Sequence, residues 1–280
     1  MPEEETIIRP ESPWWRIPWR ELLEYRELLW FVAKRNFTVT YKQTILGPFL
    51  FVIGPLTTTF VFTFVFGHVA KLKTDGIPPF LFYLCGMLFW NFFSACFSSA
   101  SSSLSANAHL FGKVYFPRLV MPFASVLTCL PRFILGLFIF ALSFVTLRLT
   151  GVPCSTPPIR LIALPALVAQ TALAGLGLGL IVASLTAKYR DLRFASAMIT
   201  RVLFYATPVV YPASYFAPSA QRWLGFNPMA PVTETARWAL LGFGSINPTM
   251  LAIGGAVTLV LFATGVCAFN RVERTFIDVI

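Results

Sequence analysis

Residues 159–186 read IRLIALPALVAQTALAGLGLGLIVASLT, and this stretch decides the fold. After Arg160 it carries no charge. A helix needs about 20 mainly apolar residues to cross the hydrocarbon core of a bilayer, and this run exceeds that length. Its Gly175-Leu-Gly177-Leu-Gly179 segment has the wrong spacing for a dinucleotide fingerprint and lies inside the apolar run. Gly175, Gly179, Ala183 and Ala187 recur every four residues, a pattern that lets a second helix approach closely within a membrane.

Five further apolar blocks predict spanning helices, at about 47–67, 80–104, 119–147, 195–213 and 248–269. Gly76, Pro78 and Pro79 mark one boundary, and Gly151, Pro153, Pro157 and Pro158 another. Residues 214–247 are apolar but broken by Pro218, Pro228 and Pro231, so short re-entrant helices at the outer interface are expected there. Such irregular backbone survives at membrane depth only where protein or water satisfies it. The whole chain agrees: 56% of its 280 residues are hydrophobic and 12% charged, with a mean hydropathy of +0.71. A soluble domain carries roughly 25% charged residues. The expected fold class is therefore an all-α membrane protein with six transmembrane helices.

Residues 1–46 form a different region. A polar opening with Glu3, Glu4 and Glu5 leads to Trp14, Trp15, Arg16, Trp19 and Arg20. This is too charged to span and lacks the apolar core of a signal peptide. From Trp19 to Ile45, Leu22, Leu23, Leu29, Trp30, Ala33 and Phe37 recur at helical spacing with charges between them. The pattern predicts a cytoplasmic tail and an amphipathic helix lying in the membrane surface, ahead of a transmembrane domain over 47–280.

The net charge of +10 is a topology signal and does not point to nucleic acid. With the N terminus inside, fourteen of the 22 Lys and Arg residues fall on inner segments and six on outer ones. Arg132 and Arg201 fall inside blocks. The bias predicts a multi-pass protein with both termini cytoplasmic.

None of the six blocks contains Asp or Glu, which weakens a proton- or sodium-coupled carrier. Gly112-Lys113 lacks the upstream glycine and following Ser or Thr of a Walker loop, so no ATP site is expected on this chain. His68 and His109 fall at opposite membrane faces, and Cys85, Cys96, Cys129 and Cys267 sit in apolar blocks without metal spacing. No metal, cofactor or catalytic set is expected. Ser94, Ser98, Ser101 and Ser105 share one helical face, either as a hydrophilic wall or as helix packing. Phe60, Phe62, Phe64 and Phe66 alternate, so some of them must face lipid or core. Arg132 lies well inside the third block, where it needs backbone carbonyls, water or an anion. Arg201 is nearer the inner face and can snorkel.

Four separated stretches resemble the polysaccharide-export permeases of ABC transporters. They are Tyr41-Lys-Gln-Thr-Ile-Leu-Gly-Pro48, Asn107-Ala-His-Leu-Phe-Gly-Lys-Val-Tyr-Phe-Pro-Arg118, Lys188-Tyr-Arg-Asp-Leu-Arg193, and Asn227-Pro-Met229 with Glu234, Arg237 and Trp238. The likeness runs from about residue 14 to 270, nearest to the lipopolysaccharide O-antigen exporters. His109 stands where a small polar Asn is common, and Phe51 where Trp is common.

The resemblance implies a homodimer that pairs with two copies of a separate ABC ATPase in the inner membrane. The loop between the second and third blocks would seat on the ATPase through His109, Lys113, Tyr115 and Arg118. The cargo would be a lipid-linked glycan whose sugars thread between the subunits. By analogy with the family, the first and fifth helices line that path with Phe60, Phe62, Phe66, Tyr205 and Tyr211. Arg201, and after it Arg132, would meet the lipid pyrophosphate, with the serine stripe left as packing. Two other functions compete: a membrane-embedded transferase and an ion-coupled flippase of polyprenyl-linked glycans. A transferase should gather acids or histidines at one membrane face, whereas Asp191, Glu234 and Asp278 lie on different segments.

Overall fold

The computed structural model describes residues 23–42, 47–107, 116–151, 158–189, 192–243 and 246–276. Among these residues the regular structure is helical. The helices are α1 (Arg26–Lys42), α2 (Gly47–Phe62), α3 (Pro79–Ala106), α4 (Val120–Leu127), α5 (Leu130–Leu149), α6 (Ala163–Lys188), α7 (Arg193–Ala206), α8 (Pro218–Leu224), α9 (Met229–Leu241) and α10 (Pro248–Phe276).

Four helical runs are long and apolar enough to cross a membrane: Pro79–Ala106, Val120–Leu149, Ile159–Lys188 and Pro248–Val272. They correspond to four of the six blocks. The first and fifth blocks form shorter apolar helices, Ile53–Val69 and Ser196–Ala206. Proline sets one of these limits. Thr207 precedes Pro208, and a residue before proline is pushed out of the α region. Thr207 accordingly adopts φ −92° and ψ 139°, which ends α7. In the first block the chain widens after α2 into a π-helical segment, Thr63–Val69. There the Ala70 amide donates to the Val65 carbonyl at 2.8 Å, five residues back. The third block is broken into α4 and α5 at Thr128–Cys129, because Pro131 has no N–H for the Leu127 carbonyl.

α3 is the central pillar, and Leu81 through Trp90 are buried without interruption. α6 lies between α3 and α10. Its glycines make both contacts. A Cβ on Gly175 would lie 2.7 Å from the Cys96 Cβ, and one on Gly179 would lie 2.5 Å from the Ala100 Cβ. Residue numbers therefore rise together along the two helices, and α3 and α6 are parallel. Midway between them, Gly177 faces the other way: a Cβ there would lie 2.6 Å from the Phe262 backbone nitrogen of α10. Gly265 of α10 meets the Gly177 carbonyl in turn. The four-residue spacing of Gly175 and Gly179 thus does what the sequence suggests, and Gly177 adds a second face that the spacing does not reveal. α5 runs antiparallel to α3, with Phe133 on Phe92 at 4.8 Å and Gly136 against Leu88. Only Phe133 and Phe140 of α5 are buried; Ile134, Phe138, Leu142 and Val145 lie exposed, as a lipid-facing helix allows.

The serines of α3 do not form one continuous wall. Ser101 is buried, while Ser98 and Ser105 are exposed. The Ser101 hydroxyl donates to the Ser98 carbonyl at 2.9 Å, and that of Ser105 to the Ser102 carbonyl at 3.1 Å. α1 buries Val32 and Ala33, packs on α4, and leaves Trp30 and Phe31 exposed.

Candidate functional site

α7 touches the rest of the chain lightly. Its inner side is held by Phe204, whose ring lies 5.3 Å from Trp90 of α3 and 6.0 Å from Phe62 of α2. Phe194, Met198, Arg201 and Tyr205 follow the i, i+4, i+7, i+11 spacing of one helical face, and all four are exposed. Tyr205 is 73% exposed. The structure thus brings Arg201 and Tyr205 onto one open surface about one turn apart.

The other rings are divided between two settings. Phe60 of α2 is exposed, with its ring 5.1 Å from Phe80. Phe62 and Phe66 are half-buried, 5.4 Å from each other and 6.3 and 6.4 Å from Tyr83. Alternation along a helix produces this split, because residues two apart lie about 200° around the axis from each other. Tyr211 is half-buried beyond the end of α7; its hydroxyl donates to the Tyr205 carbonyl at 3.0 Å. Arg132, in the first turn of α5, is exposed. It lines a small cavity of about 40 Å³ with Asn91 and Met87. Arg118 is half-buried just before α4, while His109, Lys113 and Tyr115 lie outside the described residues.

At the end of the bundle opposite Arg118, α9 carries an ion pair whose arginine is buried and whose glutamate is partly exposed. Glu234 and Arg237 are three residues apart, so they share a helix face. The Arg237 Nη1 donates to Glu234 Oε1 at 2.9 Å, and its Nη2 donates to the Val209 carbonyl at 2.9 Å. The guanidinium lies 3.6 Å over the Phe82 ring of α3. Glu234 Oε1 also accepts the Ala213 amide at 3.0 Å. Burial pushes the Arg237 pKa down from its usual value, and the Glu234 carboxylate opposes that shift. Asn227 completes the tie: its Nδ2 donates to the Thr207 hydroxyl at 2.9 Å, and its Oδ1 accepts the Met229 amide at the start of α9. Arg237 has a relative exposure of 2%, which sequence reasoning missed by counting it among outer loop charges. The Glu-to-Arg spacing of three on a proline-bounded helix was the available signal. The loop before α3 closes the same end. Asp75, at φ 52°, accepts the Ser214 hydroxyl on both carboxylate oxygens at 2.9 Å, and the Lys73 amide donates to the Tyr215 hydroxyl at 2.8 Å.

A family model described as ABC-2 type transporter matches residues 27–241, which takes in α1 through α9. The chain belongs to the ABC-2 type transporter family. Within that family it is similar to the O-antigen export system permease protein RfbA of Klebsiella pneumoniae, at 26% identity over 263 residues. That match covers 91% of this chain and 95% of the relative. It is also similar to the protein of the same name from Myxococcus xanthus, at 30% identity over 212 residues, covering 75% of this chain and 78% of the relative. With its four long apolar helical runs, this ABC-2 chain is a multi-pass membrane protein. The paired face of α7, the Arg118 segment and the buried cluster at the opposite end are the parts of this transporter with chemistry to offer.

Proposed function

We propose that this chain is the membrane subunit of an ATP-driven exporter that moves a lipid-linked polysaccharide of the O-antigen type from the cytoplasmic to the periplasmic side. The observation that carries this is the match to permeases named for O-antigen export over nearly their whole length. Two copies of the chain pair with two copies of a separate ATPase. Both termini lie in the cytoplasm, so the end with the α9 ion pair faces outward. The protein crosses the inner membrane six times, with α2 plus its π-helical extension as the first crossing and α7 in the fifth. α1 lies in the inner interface with Trp30 and Phe31 toward the headgroups.

The open face of α7 supports a path between the two copies. Arg201 sits nearer the inner side and offers a charge-assisted hydrogen bond to the pyrophosphate of the arriving lipid. Arg132 is the second such group. Tyr205 and Phe60, further along, give sugar C–H faces a ring to slide over without one fixed polar pocket. Phe62, Phe66 and Tyr211 stand behind them and hold their backbone in place. Tyr205→Ala should lower export of long glycans roughly 2- to 10-fold, the worth of one ring contact, with assembly intact. Surface glycan measured per copy of permease checks this. Export equal to that of the parent chain removes Tyr205 from the path.

The experiment that tests the whole reading is coupling to the ATPase. This reading assigns Arg118, with His109, Lys113 and Tyr115, to the ATPase contact. Arg118→Glu should cut glycan-stimulated ATP hydrolysis of the purified complex by about 10-fold, equivalent to about 1.4 kcal/mol, while the chain still inserts. A variant complex that assembles and exports normally rejects the assignment. A chain that never co-purifies with an ATPase rejects the function.

A further inference from the structure

A cavity of about 330 Å³ opens beside the ion pair of α9. Its size is at the lower end of small-molecule sites, which run from about 300 to 1,000 Å³. Three separate parts of the chain build it: the loop carrying Asp75, the segment from Ser214 to Gln221, and α9 with the residues leading into α10. These parts are already fastened to one another, by Ser214 to Asp75 and by Ala213 to Glu234. The walls are therefore held before any ligand arrives.

The polar groups that line it have unspent capacity. Glu234 uses Oε1 for both Arg237 and Ala213, and among the described residues its other oxygen accepts no hydrogen bond. Thr233, on the same helix, returns its hydroxyl to the Ala230 carbonyl at 2.9 Å. Thr235 lines the cavity at 7% exposure, and among the described residues its hydroxyl makes no such bond. A hydroxyl that opens into a preformed cavity with no protein partner is available to a ligand or water there. Gln221 gives its Nε2 to the Phe216 carbonyl, which leaves its oxygen for the cavity. Pro231 and Pro248 supply flat apolar wall between these groups.

Charge decides the class of ligand. Arg237 neutralises Glu234 at 2.9 Å, and Asp75 adds a further negative charge. An anion such as a pyrophosphate is repelled. A calcium ion wants six to eight oxygens, commonly with several carboxylates, and no group of three His, Cys, Asp or Glu suited to a metal occurs among the described residues. A neutral polyhydroxylated unit fits: its hydroxyls donate to the carboxylates and the Gln221 oxygen and accept from Thr235, while its C–H face lies on proline. We propose that this cavity binds a single neutral sugar unit of the glycan as it leaves the membrane. This deepens the export reading and rests on it.

The test uses the full chain in cells that make the glycan. A benzophenone amino acid is placed at Gln221, at Tyr205 in the path, or at Leu149 on the exposed face of α5, and the cells are irradiated. High-mass adducts that periodate collapses report glycan through its vicinal diols. Adducts are expected at Tyr205 and Gln221 and not at Leu149. Thr235→Val should reduce the Gln221 adduct about fivefold, the worth of one hydrogen bond, and leave the Tyr205 adduct unchanged. An adduct at Tyr205 with none at Gln221 overturns the cavity assignment and leaves the export reading standing. Absence at both sites overturns the two together. A Gln221 adduct that Thr235→Val does not lower means proximity without recognition, and that also overturns the site.

Discussion

Arg237→Leu should destabilise the folded chain by about 3 kcal/mol, the low end of the cost of stripping one partner from a buried ion pair, because the Glu234 side chain is 24% exposed and water can reach its charge. The loss falls on several contacts together. Glu234 keeps its charge without its partner, the Val209 carbonyl loses its donor at 2.9 Å, and Phe82 loses the cation 3.6 Å above its ring. Arg237→Lys should recover little, because an ammonium cannot reach Glu234 and Val209 as a planar fork while stacking on Phe82. The double change Glu234→Gln with Arg237→Leu should recover part of the loss, since it removes the uncompensated charge and leaves an amide oxygen for Ala213. Unfolding midpoints of the detergent-purified variants check this ordering. If the single and double variants melt together, the pair does not hold α9 to the end of α7.

Gly177→Val should cost about 1–3 kcal/mol, toward the upper end of that range. The atoms a Cβ would strike are the Phe262 backbone nitrogen at 2.6 Å and its Cα at 2.7 Å, which cannot swing aside as a side-chain tip can. α6 and α10 would have to separate along their contact. Gly255→Ala is the comparison on α10, because nothing lies within 4 Å of its would-be Cβ. That change should be neutral or stabilising by up to about 1 kcal/mol from helix propensity. Folded yield and melting of the two variants separate the outcomes. Equal behaviour would mean that α6 and α10 do not meet at Gly177.

Part of the site was readable before any fold was known. The positions 194, 198, 201 and 205 fall on one turn-spaced face by arithmetic, which places Arg201 near Tyr205 whatever packs around them. The separation of Phe60 from Phe62 was also readable as a difference of face. Which of the two faced protein was not. Phe62 is half-buried because Phe204 and Tyr83 come from distant parts of the chain to meet it. The Glu234–Arg237 pair was visible as a spacing, but its burial depends on Val209, Ala213 and Phe82 closing around it.

By itself the sequence determined the membrane setting, the helical class and the apolar runs that become the long helices. Those properties depend on hydropathy summed over about 20 neighbouring residues, which needs no partner to evaluate. The break at Pro131 and the helix end at Pro208 have local causes, a missing N–H and a crowded preceding residue, yet the apolar blocks 119–147 and 195–213 run through both, because hydropathy does not register them. Only the tertiary structure decided which faces of these helices meet protein. In lipid an apolar face gains little from hydrophobicity by meeting another helix, so shape and backbone approach choose the contact. Gly175 and Gly179 meet α3, while Gly177, between them in sequence, meets α10. That choice lies in the fit of three helices, and no property of α6 read alone contains it.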